Sequence, residues 1–175
     1  MTEYNFTHIA KKIENEGISA SLKGIIKNHN ENAGRQLRKD ASIGVEMIFS
    51  YSPSVPFSAP FVKEYQKCIF SFLKKEFPQF RLMRLDLHCD ENSVHWHVVG
   101  VCLDNQKKIC TRQTLGGPAE MRKHQDNFAL EVAHLGLSRG IPKKQTHRRH
   151  ETKNEWQRRL EIQKEAQRAL DDIGL

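Results

Sequence analysis

The sequence has few cysteines, no long apolar run and no excess of acidic residues, and each absence excludes a class of protein. Its four cysteines form no Cys-x-x-Cys pair and stand among apolar residues, which predicts small buried or half-buried thiols rather than a disulfide framework or a zinc cluster. No apolar run approaches the roughly 20 residues of a membrane-spanning helix. The N-terminus, MTEYNFTHIAKK, has neither the basic head nor the apolar core of a signal peptide, so we expect a cytoplasmic chain.

What the chain does have is enough length for one domain and a positive net charge. Its 175 residues can bury one core but are too few for two full domains. Its 28 Lys and Arg residues outnumber its 21 Asp and Glu residues, which gives +7 before histidine is counted. A charge of this sign predicts a polyanionic partner, and nucleic acid is the first candidate.

The apolar spacing alternates between period two and period 3.6, which is typical of a mixed α/β domain. The predicted strands are 5–11, 43–51, 80–88 and 94–103, and the predicted helices are 18–30, one after Ser58, one from Pro118 to Gly136 and one over 152–172. The helix after Ser58 has the broadest apolar stripe and should lie on the sheet. The helix from Pro118 is expected to turn four residues inward: Met121, Phe128, Val132 and Leu135. We expect one domain over residues 1–150, followed by a charged helix over 151–175.

The segment LHCDENSVHWHVVGV, residues 87–101, predicts part of an antiparallel hairpin with a short polar turn. Side chains in a strand alternate faces, so His95 and His97 must point the same way. If the turn pairs His88 with His95, then Asp86 falls opposite His97. All four side chains would then lie on one surface, about 5 Å apart.

Three histidines on one sheet face, with no apolar neighbours to account for them, suit a divalent metal bound through neutral imidazole nitrogens. Glu91 lies in the turn and could serve as a further ligand, as a general base, or as the group that orients one. A His-x-His pair alone is better explained as a solvated sheet face. The addition of His88 and Glu91 at this spacing favours the metal site.

The stretch HCDENSVHWH, residues 88–97, resembles the His-x-Asp-Glu-x-x-Pro-His-x-His motif of the MobV (Mob/Pre) plasmid mobilisation relaxases, a branch of the HUH endonucleases. Val94 stands where the family usually has proline. The GLSRG of residues 136–140 is similar to a family pattern of a helix followed by Gly-Leu-x-Arg-Gly. The His-Asn-Glu of residues 29–31 is similar to the family's first motif, and the likeness extends from about residue 18 to 157.

This resemblance implies an α+β, HUH relaxase-like fold, in which helices pack on a central, mainly antiparallel sheet. It implies an enzyme that nicks one DNA strand at a plasmid transfer origin and keeps the 5′ phosphate as a covalent adduct. His88, His95 and His97 would hold manganese or magnesium, although three imidazoles would also accept nickel, cobalt or zinc. The implied nucleophile is His29, with Glu91 accepting its proton or orienting it. From the sequence alone, His29 is explained equally well as a helix-end histidine favoured by the helix dipole.

Basic residues near these motifs are expected to contact DNA phosphates, with binding that weakens steeply as salt rises. They are Arg35, Arg38, Lys39, Arg139, Lys143, Lys144, Arg148 and Arg149. Charge runs are more often simply solvated, so this expectation depends on the adjacent metal motif and on the net charge. The expected partner is single-stranded or supercoiled plasmid DNA in a bacterial cytoplasm, with a coupling protein as a further candidate.

Two other functions stay open at this point. A replication initiator or transposase of the HUH type would use Tyr4, although an initiator needs its tyrosine after the histidine hairpin and none follows it. Tyr51 ends a strand and Tyr65 lies on an apolar stripe, so both are predicted to be structural. The third function is a DNA-binding module with a vestigial metal site, which would bind DNA without cleaving it.

Overall fold

An antiparallel sheet of four strands, in the order β1-β3-β4-β2, is the centre of the fold. The structure is a computed structural model that describes residues 5–52, 54–55, 57–89, 93–141, 145 and 152–172. The strands are β1 (Phe6–Ile9), β2 (Val45–Ser50), β3 (Phe80–His88) and β4 (His95–Cys102). The predicted α+β class, with helices packed on a mainly antiparallel sheet, is confirmed.

The described residues also form six helices. They are α1 (Lys11–Glu16), α2 (Ile18–Ala33), α3 (Ala59–Glu76), α4 (Thr111–Leu115), α5 (Pro118–Glu131) and α6 (Lys153–Asp172), and a short 3-10 turn, Ala133–Leu135, follows α5. The two shortest, α1 and α4, were not predicted, because five or six residues are too few to establish a helical period.

One face of the sheet is covered by α3. The helix begins as predicted at Ser58, whose Oγ accepts a hydrogen bond from the Phe61 N–H at 3.3 Å and so caps it. Its apolar stripe is buried, and the Tyr65 ring stacks on Trp96 of β4 at a centroid distance of 4.8 Å. Burial of these large rings against the sheet is the main source of stability on this side.

The opposite face is partly covered by α1 and α2. Ile13 of α1 packs with Met83 and Val101 of the sheet in a second apolar cluster, which Leu22 and Ile25 of α2 extend. The same face, at the end where β3 finishes and β4 begins, carries polar side chains. The sheet therefore has an apolar region and a polar region on one surface.

The helix α5 departs from its prediction at one residue. Phe128 packs on Phe72 and Phe49, but Met121 is 43% exposed, so its predicted inward orientation was wrong. The reason is that α3 ends at Glu76, which hydrogen-bonds His124; the first turn of α5 runs past this end.

The chain divides into two compact units, residues 1–139 and 140–175. The predicted domain limits, 1–150 and 151–175, stay a prediction. The second unit contains α6, a charged helix as expected. No helix in the described residues is long and apolar enough to cross a membrane.

Candidate metal centre

The hairpin of β3 and β4 has the register that the sequence predicts. His88 lies opposite His95, and Asp86 lies opposite His97. Because both pairs are in register and side chains alternate, all three imidazoles lie on the face opposite to α3. Each of these histidines is partly exposed to solvent.

The three rings converge. Their centroids are 5.1 Å apart for His88 and His95, 5.1 Å for His88 and His97, and 5.0 Å for His95 and His97. An imidazole nitrogen binds a divalent ion at about 2.1 Å, which puts the ring centre roughly 3.2 Å from the ion and the centres of rings at tetrahedral or octahedral angles roughly 4.5–5.2 Å apart. The observed spacing fits three rings around one ion.

No group of three or more His, Cys, Asp or Glu residues set up to hold a metal ion is found in the part of the chain that the structure describes. The spacing of the three ring centroids nevertheless matches that of imidazoles around one ion. Rotation of an imidazole about its Cβ–Cγ bond redirects the nitrogens but leaves the ring centroid in place. The distances between the centroids would therefore stay the same if the rings turned to bind an ion. The residues therefore fit a bound divalent ion.

Two of the rings already have a partner on the nitrogen that would face away from an ion. The Nδ1 of His95 is 2.9 Å from the Ser93 carbonyl oxygen, and the Nδ1 of His97 is 2.7 Å from Oε1 of Glu46. Both partners are acceptors, so each hydrogen bond places a proton on Nδ1, and in a neutral ring the lone pair is then on Nε2. The sequence analysis missed Glu46, because its only signal was alternation along a strand whose neighbour was unknown.

Asp86 shares the face but points to other partners. Thr7 donates to its Oδ1 at 2.7 Å, and Arg84 donates to its two oxygens at 2.7 and 2.9 Å. Burial acts to raise the pKa of Asp86, but these hydrogen bonds, with the charges of Arg84 and His88, hold the pKa below its usual range. Asp86 is thus a carboxylate that ties β1 to β3 beside the histidines.

His29, the predicted nucleophile, is not brought to the histidine cluster. Its Nδ1 accepts a 2.9 Å hydrogen bond from the backbone N–H of Ile109, a residue that bridges to Leu103 just beyond the end of β4. The cluster lies at the start of β4, and the strand between His95 and Cys102 spans about 23 Å at 3.3 Å per residue. Its role as nucleophile stays a prediction.

The surroundings of His29 form an open groove of about 860 Å³. Arg35 and Lys108 contribute positive charge to its lining, and Asp104 contributes a carboxylate that accepts hydrogen bonds from the N–H groups of Gln106 and Lys108. This groove and the histidine cluster are separate sites in the structure.

The other predicted site residues divide into described and undescribed ones. Arg35 and Lys39 are exposed, Arg38 pairs with Asp40 at 3.3 Å, and Arg139 pairs with Asp126 at 2.6 Å. Five predicted residues lie outside the described residues: Glu91, Lys143, Lys144, Arg148 and Arg149. Tyr4, the alternative nucleophile, also lies outside them.

The fold, a four-stranded antiparallel sheet with helices packed on it, is shared with relaxase domains of known structure. The MobM relaxase domain (MOBV; Mob_Pre), crystallised with Mn and plasmid pMV158 oriT DNA, superposes with a TM-score of 0.69 at 17% identity, over 90% of this chain and 81% of that one. A second MobM structure, with a 3′-thiophosphate on the DNA, gives 0.65 at 20% identity, over 90% and 79%.

The chain belongs to the plasmid recombination enzyme (Mob_Pre) family, whose model matches residues 2–158. It is 28% identical over 135 residues to a 65 kDa protein of Zymomonas mobilis subsp. mobilis, which covers 75% of this chain and 23% of that protein. It is 23% identical over 147 residues to plasmid recombination enzyme type 1 of Staphylococcus aureus, covering 82% and 36%. The chain thus spans about a quarter to a third of the length of these curated relatives.

Proposed function

We propose that this chain is a metal-dependent domain that nicks one strand of plasmid DNA at a transfer origin and transfers that strand. The observation that carries the proposal is the convergence of His88, His95 and His97, with ring centroids 5.0–5.1 Å apart on an accessible sheet face. Family membership over residues 2–158 and the fold shared with the MobM domain support it. We expect the domain to act in the bacterial cytoplasm, where plasmid DNA is found.

The three histidines would hold the divalent ion, manganese or magnesium. The bound ion would supply positive charge that polarises the scissile phosphate and stabilises the charge added during attack. With Nδ1 hydrogen-bonded to Ser93 and Glu46, His95 and His97 would hold the ion through Nε2. Glu91 is proposed to accept a proton from the nucleophile or to orient it.

The covalent step replaces one bond to phosphorus with another. The nucleophile forms a bond to the phosphorus, the bond to the 3′ oxygen of the preceding nucleotide breaks, and that oxygen takes a proton to become a hydroxyl. The 5′ phosphate stays on the protein. Because the covalent bond to the protein conserves the bond energy of the broken phosphodiester, the strand can be rejoined or transferred without ATP.

Two residues compete for the role of nucleophile. The resemblance implies His29, which would have to reach the cluster from the far end of β4 and release its hydrogen bond to Ile109. Tyr4 is favoured by a specific contact of its neighbour: Oδ1 of Asn5 accepts a 2.8 Å hydrogen bond from the backbone N–H of Cys89, the residue after His88. Asn5, the residue that follows Tyr4 in the chain, is therefore hydrogen-bonded to the backbone next to His88.

DNA contacts follow from the positive charge. Arg35 and Lys39 are exposed after α2, and we propose that they bind backbone phosphates, together with the undescribed basic residues of the 143–149 run. The charges of Arg38 and Arg139 are already paired with Asp40 and Asp126, so these two arginines are weaker candidates for phosphate contacts. Binding should weaken steeply with salt.

The test is covalent capture of DNA. Purified protein is incubated with Mn²⁺ and labelled single strands or supercoiled plasmid that carry the transfer origin of its own element, and a covalent band is sought on denaturing gels. We expect a band that EDTA and His95→Ala abolish. Loss of the band in His29→Ala identifies the histidine nucleophile, and loss in Tyr4→Phe identifies the tyrosine. Binding of this DNA without a band or a nick would favour the non-catalytic binding module.

A further inference from the structure

The contact between Glu46 and His97 links the metal centre to an edge strand. Glu46 lies on β2, where Ile48 is opposite His97 and Glu46 is opposite Val99. Side chains of β2 alternate, with Phe49 buried in the core and Glu46 on the other face. The Oε1 of Glu46 reaches diagonally across the strand pair to Nδ1 of His97 at 2.7 Å.

We propose that Glu46 is a positioning residue for the metal ligand His97, an inference that rests on the metal site of the proposed function. The carboxylate accepts the Nδ1–H of His97. This fixes the tautomer and restrains the ring angle, so that Nε2 carries the lone pair on a ring whose centroid lies 5.1 Å from that of His88 and 5.0 Å from that of His95. Glu46 itself does not contact the ion.

The carboxylate does more than a neutral acceptor would. A negative charge hydrogen-bonded to one nitrogen of an imidazole makes the other nitrogen a stronger donor to a cation. His95 has the neutral Ser93 carbonyl in the equivalent place, at 2.9 Å. Glu46 therefore adds negative charge next to one ligand in particular. Its side chain is 55% exposed, so solvent screens part of this effect.

The chain contains a matched control. Glu76 and His124 form a second carboxylate–histidine pair, with Oε2 2.9 Å from Nδ1. This pair joins α3 to α5 on the other side of the sheet. Neutralising Glu76 removes the same kind of charge from the same kind of partner, away from the cluster.

The first experiment measures Mn²⁺ affinity without DNA, by the loss of the free-ion EPR signal during titration. Wild type, Glu46→Gln, Glu46→Ala and Glu76→Gln are compared at one pH. We expect about 10-fold weaker binding for Glu46→Gln and up to about 100-fold for Glu46→Ala, with Glu76→Gln within about 2-fold of wild type. Equal affinities in wild type and both Glu46 variants would overturn the proposal.

The second experiment reads the tautomer of His97 in the metal-free protein by long-range ¹H–¹⁵N NMR correlation. Wild type and Glu46→Gln should show the Nδ1–H form, because the glutamine amide oxygen can still accept, whereas Glu46→Ala should shift toward Nε2–H. An Nε2–H ring in wild type would refute the positioning role. If Glu46→Ala fails to fold, the Mn²⁺ affinity of Glu46→Gln in the first experiment still separates the outcomes.

Failure of the metal site itself gives a different result. In that case wild type would not bind Mn²⁺, or His95→Ala would bind it as well as wild type does. The proposed function would then fail at its metal site, and the positioning role of Glu46 would fail with it. If His95→Ala abolishes Mn²⁺ binding and the Glu46 variants leave it unchanged, the positioning role of Glu46 fails while the metal site stands.

Discussion

The backbone N–H of Ile109 donates a 2.9 Å hydrogen bond to Nδ1 of His29. A backbone amide can only donate, so Nδ1 carries the lone pair and the neutral ring carries its proton on Nε2. Neither nitrogen then has an available lone pair for attack on phosphorus. A second hydrogen bond joins α2 to the segment after β4: the Asn32 side-chain amide donates to the Gln106 carbonyl oxygen at 2.7 Å.

The first prediction separates the structural role of His29 from a catalytic one. His29→Ala leaves the Ile109 N–H without its acceptor and should lower the free energy of unfolding by ~1 kcal/mol. His29→Asn keeps an acceptor near the Nδ1 position and should lose less, as measured by urea denaturation. If His29 is the nucleophile, both variants lose the covalent DNA band. A band retained by His29→Asn would exclude that role.

The second prediction concerns the pH dependence of an ion pair between α3 and α5. Lys75 donates to both oxygens of Glu131 at 3.1 and 2.8 Å, and this hydrogen bonding, with one from Ser71, holds the pKa of Glu131 below its usual range. A depressed folded-state pKa gives a stabilisation that is present above the unfolded pKa of about 4.3 and is lost as the pH falls through the folded value.

Glu131→Gln should therefore lower the free energy of unfolding by ~0.5 kcal/mol at pH 7, a small effect because Lys75 is largely exposed. The difference from wild type should disappear in acid. Urea denaturation from pH 7 down to the acid range measures it, and a double-mutant cycle with Lys75→Met isolates the pair. A difference that grows as the pH falls would contradict the assignment.

The third prediction tests the packing of β4 at Gly100. A Cβ added there would lie 2.4 Å from the Arg81 carbonyl oxygen and 2.4 Å from Cζ of Phe80. The backbone oxygen cannot move aside cheaply, so Gly100→Ala should cost ~2–3 kcal/mol. Gly44→Ala is the control, since its nearest contact would be an ordinary 3.7 Å. Equal thermal shifts for the two variants would contradict this packing.

The fourth prediction compares two buried tyrosines. The Tyr65 hydroxyl donates to the Ser50 carbonyl at 2.9 Å, whereas the buried Tyr51 hydroxyl meets no hydrogen-bond partner among the described residues. Tyr65→Phe should lower the free energy of unfolding by ~1 kcal/mol, and Tyr51→Phe should leave it unchanged or raise it slightly. Calorimetry of both variants decides the matter, and a larger loss for Tyr51→Phe would refute the contrast.

The histidine hairpin was predictable because its geometry is local. Period-two alternation puts His95 and His97 on one face, and the short turn fixes which residue of β3 lies opposite each of them. The broad stripe of α3 and its Ser58 cap were predictable for the same reason. The predicted inward orientation of Met121 was wrong because helical spacing gives the direction of a side chain but does not say where the neighbouring helix ends.

The sequence by itself determined the strands, the main helices, the face that carries His88, His95 and His97, and the structural roles of Tyr51 and Tyr65. Only the tertiary structure decided that β2 pairs with β4, which brings Glu46 to His97. It also decided the position of α2, which puts its residue His29 beside Ile109. Local periodicity depends on backbone geometry within a few residues. Contacts between elements far apart in sequence depend on packing of the whole core, which no local pattern contains.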